Sequence, residues 1–136
     1  MTDRFAELLQ ELSAVLQIPL HPDHSHACSI LMPPHPLILL QLGESQEYLF
    51  LFSKITALSP GKFRENVLCE ALKANAKEEP RPGILGYVAA SNTLAIHQKF
   101  PAALLNGELL ASLIGSLLET ATLWKTAIEQ GKTGPT

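Results

Sequence analysis

Phe5, Leu8, Leu9, Leu12, Val15 and Leu16 recur at helical spacing, with Glu7, Gln10, Glu11 and Ser13 between them. This predicts an amphipathic first helix of about fourteen residues, capped by Thr2 or Asp3 and ended at or before Ile18 by Pro19. The turn-rich HPDHSH of residues 21–26 then leads into a strand over 27–32. Prolines 33, 34 and 36 cannot donate ladder hydrogen bonds, so MPPHP is a link or an edge. Strands over 37–42 and 47–53 follow, joined by a tight polar turn at 43–46. Connections this short predict an antiparallel meander, since parallel strands need a long crossover. LILLQL and YLFLF, within these two strands, do not alternate. A strand covered on one side alternates, so large side chains on both pleat faces point to another chain, either an identical subunit or a captured polypeptide.

Ser59-Pro60-Gly61 predicts the start of a second helix, with Ser59 as N-cap and Pro60 at the first helical position, where its missing N–H is harmless. Phe63, Val67, Leu68, Ala71 and Leu72 give that helix an apolar side, and Asn75 falls near its end. The charged, proline-rich KEEPRP of residues 77–82 reads as a long loop, because the pieces on either side are too small to fold separately. Residues 84–89 and 94–98 form a second hairpin, in which Gly86 either relieves crowding against another backbone or marks a bulge. A last helix is predicted from about Ala103 to Glu129 on the stripe Leu110, Ile114, Leu117, Ala121, Trp124 and Ile128. Trp124 shares that stripe with leucines and is expected in the core. The closing GKTGPT reads as a helix stop and a flexible tail over about 131–136. These elements fit a single domain over residues 1–136.

Composition narrows the function. The 136 residues are 46% hydrophobic and only 17% charged, with a formal charge of −3 and no Lys/Arg cluster. A nucleic-acid or anionic-membrane partner needs a concentrated positive field, so neither is expected. The longest apolar run, within 102–118, is broken by Asn106, Glu108 and two glycines and is too polar to span a membrane. MTDRFAELLQEL has acids at helical period rather than a basic region before an apolar one, so no signal peptide is expected. Cys28 and Cys69 lie outside any paired motif and read as buried small hydrophobes in a reducing compartment. His21, His24 and His26, with Asp23 beside them, match no zinc pattern and read as a solvated turn. No nucleophile elbow or phosphate-binding glycine loop occurs, and no acid sits in an apolar setting that would raise its pKa. Neither an enzyme nor a cofactor is expected.

The order helix, three strands, helix, two strands, helix resembles the secretion chaperones of the Tir-chaperone family, the class I chaperones of bacterial type III secretion. The resemblance covers nearly the whole chain. It rests on FAELLQELSAVLQIPL, the strand with Cys28 and the hairpin over 37–52. It continues with Leu58-Ser59-Pro60 before FRENVLCEALKANA, the glycine-containing ILGYVAASNTLAIHQKF, and the tryptophan-bearing helix over 105–128. The family is distinctly acidic, and a charge of −3 is mild beside it.

The resemblance implies an α+β, secretion-chaperone-like fold, an antiparallel sheet packed by helices in the order α-β-β-β-α-β-β-α, forming a homodimer in the bacterial cytoplasm. Helix two and the following strand would make the two-fold interface, which places Phe63, Val67, Leu68, Ala71, Leu72, Ile84, Gly86 and Val88 there. The implied partner is the N-terminal region of a secreted effector or translocator, held extended and soluble, with the secretion apparatus as a further partner. Its anchors would meet exposed members of Leu8, Leu9, Leu12, Leu16, Leu31, Leu37, Leu39, Leu49 and Leu51. Two other readings are a dimeric adaptor holding a folded partner and a small enzyme or ligand carrier. A closed polar pocket with converging ionisable groups would favour the enzyme or carrier, and long open apolar grooves the chaperone.

Overall fold

The computed structural model describes residues 4–77 and 83–135. The expected cap at Thr2 or Asp3 and most of the KEEPRP loop lie outside the described residues. The chain runs α1 (Arg4–Leu16), β1 (Ala27–Ile30), β2 (Ile38–Leu42), β3 (Tyr48–Ala57), α2 (Lys62–Asn75), β4 (Ile84–Val88), β5 (Thr93–Pro101) and α3 (Gly107–Glu129), the element order read from the sequence. The five strands form one sheet in the order β1-β2-β3-β5-β4, with every neighbouring pair antiparallel.

The register resolves the doubly apolar hairpin. Ile38, Leu40 and Leu42 on β2 and Leu49 and Leu51 on β3 point to one face and are fully or almost fully buried. Against them pack Phe5, Leu8, Leu9 and Leu12 of α1 and Leu110, Ile114, Leu117, Leu118, Ala121 and Trp124 of α3. Val67 and Ala71 of α2 join the same core beside Leu85 of β4. Each leucine-sized side chain buried there contributes about 1.5–3 kcal/mol relative to exposure. The one buried hydroxyl on β3, Ser53, is satisfied by donating to the Leu37 carbonyl at 2.9 Å. Among the described residues no helix covers the opposite sheet face, where Leu39, Phe50 and Phe52 lie.

Helix α3 is fixed at both ends. The Asn106 side chain accepts from the Leu109 N–H at 2.8 Å, an N-cap bond that satisfies an otherwise orphaned donor. Gly107 touches α1 so closely that a Cβ there would lie 2.6 Å from the Glu11 Cβ and 2.8 Å from its carbonyl oxygen. The Gly107 N–H donates to the Glu11 carboxylate at 3.0 Å, and Arg4 donates to the Leu105 carbonyl, so the two helices are tied where they meet. At the far end Lys132 N–H reaches the Ala127 carbonyl and Gly131 N–H the Ile128 carbonyl, with Gly131 at φ 83°, a Schellman stop.

Several local expectations are corrected. Helix α2 begins at Lys62 with Gly61, at φ 140°, in the N-cap position, so Ser59 and Pro60 precede the helix instead of opening it. β3 and β5 run longer than their apolar cores suggest, pairing from Tyr48↔Pro101 to Ala57↔Thr93 across a register shift between Lys54 and Thr56. Lys54 and Lys99 there fall on the open face and do not interrupt the ladder. Helix α3 starts four residues later than expected, since Ala102–Leu104 form a separate 3-10 turn. Gly86 is not a bulge, because β4 pairs in unbroken register with β5. Cys28 is buried, but Cys69 is exposed, lying on the side of α2 away from Val67 and Ala71. Where a flexible tail was expected, Gly134 is buried, and a Cβ there would stand 3.2 Å from the Trp124 ring.

Candidate functional site

Strand parity builds the principal surface. Residues between the core positions of β1, β2, β3 and β5 point away from the helices and stand in rows: Ser29, Leu39, Phe52 and His97 in one, Gln41, Phe50 and Lys99 in the next. Leu37 is 51% exposed, Phe50 43% and Tyr48 37%, which is unusual for large apolar groups clustered on one face. Ser29, Leu37, Leu39, Phe52 and Lys54 line an open cleft of about 350 Å³ on this face. The Lys99 ammonium sits 4.7 Å from the centre of the Tyr48 ring, a cation–π contact that orients both side chains.

The residues proposed from sequence to receive a client divide sharply. Leu31 and Leu37 are exposed, and Leu16 and Leu39 are half-buried. Leu8, Leu9, Leu12, Leu49 and Leu51 lie in the subunit's own core with at most 1% exposure, so in this fold they support the surface and cannot form it. The physical reason is that periodicity identifies an apolar stripe but the stripe of α1 is consumed by α3 and the sheet. Phe50, Phe52, Lys54 and Lys99 belong to the open face and went unselected. Two-residue spacing from Leu37 and Leu39 through the hairpin register would have found the two phenylalanines.

The sheet edges are unequal. At β1 the Asp23 N–H donates to the Ala27 carbonyl at 2.9 Å and the Ala27 N–H to the Asp23 carboxylate at 3.1 Å, closing that part of the edge. The same carboxylate accepts from the Ser25 hydroxyl and N–H at 2.7 and 2.8 Å, and these bonds lower its pKa below the usual carboxylate range. The histidine-rich segment is thus a turn organised by Asp23, and among the described residues no group of three or more His, Cys, Asp or Glu could hold a metal ion. Beyond Ala27 the edge continues to Ser29 and the exposed Leu31. At β4 the Asn75 amide donates to the Leu85 carbonyl at 2.8 Å and accepts from the Leu85 N–H at 2.9 Å, standing in for a neighbouring strand. Buried Cys28 is a poor nucleophile, since desolvation pushes its thiol pKa up.

A second apolar surface flanks β4. Leu72 is 70% exposed, Phe63 and Ile84 are also exposed, and Leu68, Gly86 and Val88 are half-buried. Val67 and Ala71, assigned to the same interface from sequence, are instead buried in the core, 0% and 4% exposed. No atom lies within 4 Å of where a Gly86 Cβ would stand, so the subunit itself does not require glycine there. Beside this patch Arg64 donates to the Tyr87 hydroxyl at 2.9 Å and stacks over its ring at 5.4 Å.

The fold is shared with solved protein complexes, two of which are named for their chaperones. A chain of the HopA1–SchA chaperone–effector complex superposes with a TM-score of 0.73 at 22% identity, covering 93% of this chain and 100% of that one. The ExsC–ExsE complex gives 0.72 at 21% identity, with 93% and 94% covered. The Yersinia pestis type III secretion chaperone SycH, solved with a stable fragment of YscM2, gives 0.70 at 15% identity, with 86% and 96% covered. No curated protein sequence matches the chain. The family model of the Tir chaperone proteins matches residues 7–125, nearly the whole of the helix–sheet–helix unit, and the chain belongs to the Tir chaperone protein (CesT) family.

Proposed function

We propose that this chain is a type III secretion chaperone that captures the N-terminal region of a secreted effector or translocator and keeps it extended and soluble until export. The observation that carries this reading is the open sheet face, with Leu37, Leu39, Phe50 and Phe52 uncovered by any helix of the described chain. An extended client segment can insert alternate side chains into such a surface, and the β1 edge beyond Ala27 offers main-chain groups for strand addition. Each leucine-sized anchor buried contributes roughly 1.5–3 kcal/mol, so a few anchors offset the ordering cost of a disordered segment. The ionisable side chains described on this surface include Lys54 and Lys99, and capture asks no acid–base chemistry of them, since it makes and breaks no bond.

The proposed unit is a homodimer in the bacterial cytoplasm, joined through Phe63, Leu68, Leu72, Ile84, Gly86 and Val88. Exposed Leu72 and the vacant space over Gly86 support this assignment, because obligate interfaces resemble a core cut in half. Purification of the tagged chain from its native cell, with mass spectrometry of whatever polypeptide accompanies it, tests the reading. A secreted protein bound through its N-terminal region is expected, and a folded partner bound through a structured domain would replace capture by scaffolding.

A further inference from the structure

The five strands contain no aspartate or glutamate, although the chain has 13 acids and a formal charge of −3. Their only lysines, Lys54 on β3 and Lys99 on β5, both stand on the open face. Glu44 and Glu47 come closest in sequence, in the turn between β2 and β3, and neither lysine is drawn into an ion pair among the described residues. Lysines often protect exposed sheet edges, but β3 and β5 are interior strands, so that role does not explain them. A merely solvated face would mix both charge signs and would not set Phe50 and Tyr48 beside one cation, Leu37 beside the other and Phe52 in the row between them.

We propose that the open sheet face selects a client segment in which an apolar anchor is flanked by carboxylates two residues to either side. Lys99 is opposite Phe50, and Lys54 follows Phe50 by four residues on β3, which puts the two lysine backbone positions roughly 14 Å apart along the strand direction. An extended peptide lying along the strands presents residues i, i+2 and i+4 to the face over the same span. Carboxylates at i and i+4 then meet Lys99 and Lys54, and the side chain at i+2 enters between them, against Phe52 and the cleft lined by Leu37 and Leu39. A second copy of this chain docking face to face would set lysines against lysines, because a two-fold interface pairs one patch with itself. Aromatic rings and cations also suit single-stranded nucleic acid, but the cleft sets one ring, Phe52, beside Leu37 and Leu39, which offer no stacking plane for successive bases, and the chain is acidic. This assignment rests on the client-capture reading and adds the chemistry of the client.

The test uses a fluorescein-labelled peptide of three glutamate–serine–phenylalanine–serine–glutamate repeats, its lysine-for-glutamate analogue and a single-stranded oligothymidylate, titrated with the full chain by anisotropy. The acidic peptide is expected to bind about tenfold more tightly than the basic one, with the preference shrinking at high salt. The double variant K54E/K99E should weaken acidic-peptide binding by about tenfold, whereas K62E/K132E, with the same change in net charge on other surfaces, should not. Equal affinity for acidic and basic peptides, no binding of the acidic peptide, comparable binding of the oligothymidylate, or indifference to K54E/K99E would each overturn the assignment. If the peptide behaves as expected while the chain carries no extended secreted polypeptide in its native cell, the capture reading fails and the surface chemistry stands. If such a polypeptide is bound but K54E/K99E leaves its binding and the peptide's unchanged, only the surface assignment fails.

Discussion

Single residues set how closely the helices approach each other and how the first turn is held. Gly107 is conspicuous in neither composition nor motif, yet a side chain there would collide with the backbone of Glu11. Gly107→Ala is expected to destabilise the fold by about 1–3 kcal/mol, read as a lower urea midpoint with the slope unchanged. Asp23 acts through its carboxylate, whose pKa is lowered by bonds from Ser25 and Ala27. A group with a depressed native pKa contributes stability that is present above its unfolded pKa and is lost as pH falls through the native value. The turn over residues 21–26 should therefore loosen only in acid, and Asp23→Asn should show faster amide exchange at Ala27 at neutral pH, where the wild type remains protected. If the two exchange alike at neutral pH, the assigned role of Asp23 is wrong. Neither residue's role was legible in the sequence, because both depend on contacts made by atoms that only the turn or the helix crossing brings together.

At the scale of elements, the sequence carried more. Helical spacing located α1 and α3, and short connections implied the β1-β2-β3 meander, because these signals are local. What it missed was decided by packing: the extension of β3 and β5 through polar residues, the later start of α3, and which pleat parity of the hairpin turned inward. LILLQL and YLFLF were apolar on both sides, so only the helices seated on one face could distinguish core from surface. Asn75 illustrates the same limit. It was expected only near a helix end, whereas its amide occupies the main chain of Leu85 at the edge of β4. Asn75→Ala should cost about 1–2 kcal/mol and accelerate amide exchange at Leu85, since two hydrogen bonds to a half-buried edge are lost together. Unchanged exchange at Leu85 would remove Asn75 from that role.

For the whole molecule, two clusters of apolar surface outside the core concern partners, the open sheet face and the flank formed by α2 and β4, while Val15, Leu104, Leu109 and Leu123 are exposed elsewhere on the helices and the turn before α3. The first is assigned to a foreign segment and the second to another copy of the chain. Light scattering at micromolar concentration should give about twice the 14.8 kDa chain mass, and Leu72→Asp should shift it toward the monomer or into aggregate. A stable wild-type monomer would remove the interface assignment. Half of the hydrophobic excess in the first hairpin is spent on the subunit's own core, which leaves the outward half, Leu37, Leu39, Phe50 and Phe52, as the surface on which the proposed capture depends. Amide exchange of the co-purified client, measured bound and free, tests capture most directly. Its N-terminal region should be protected in the complex and exchange as a disordered chain when released; a client whose protection and fold are the same in both states would contradict the account.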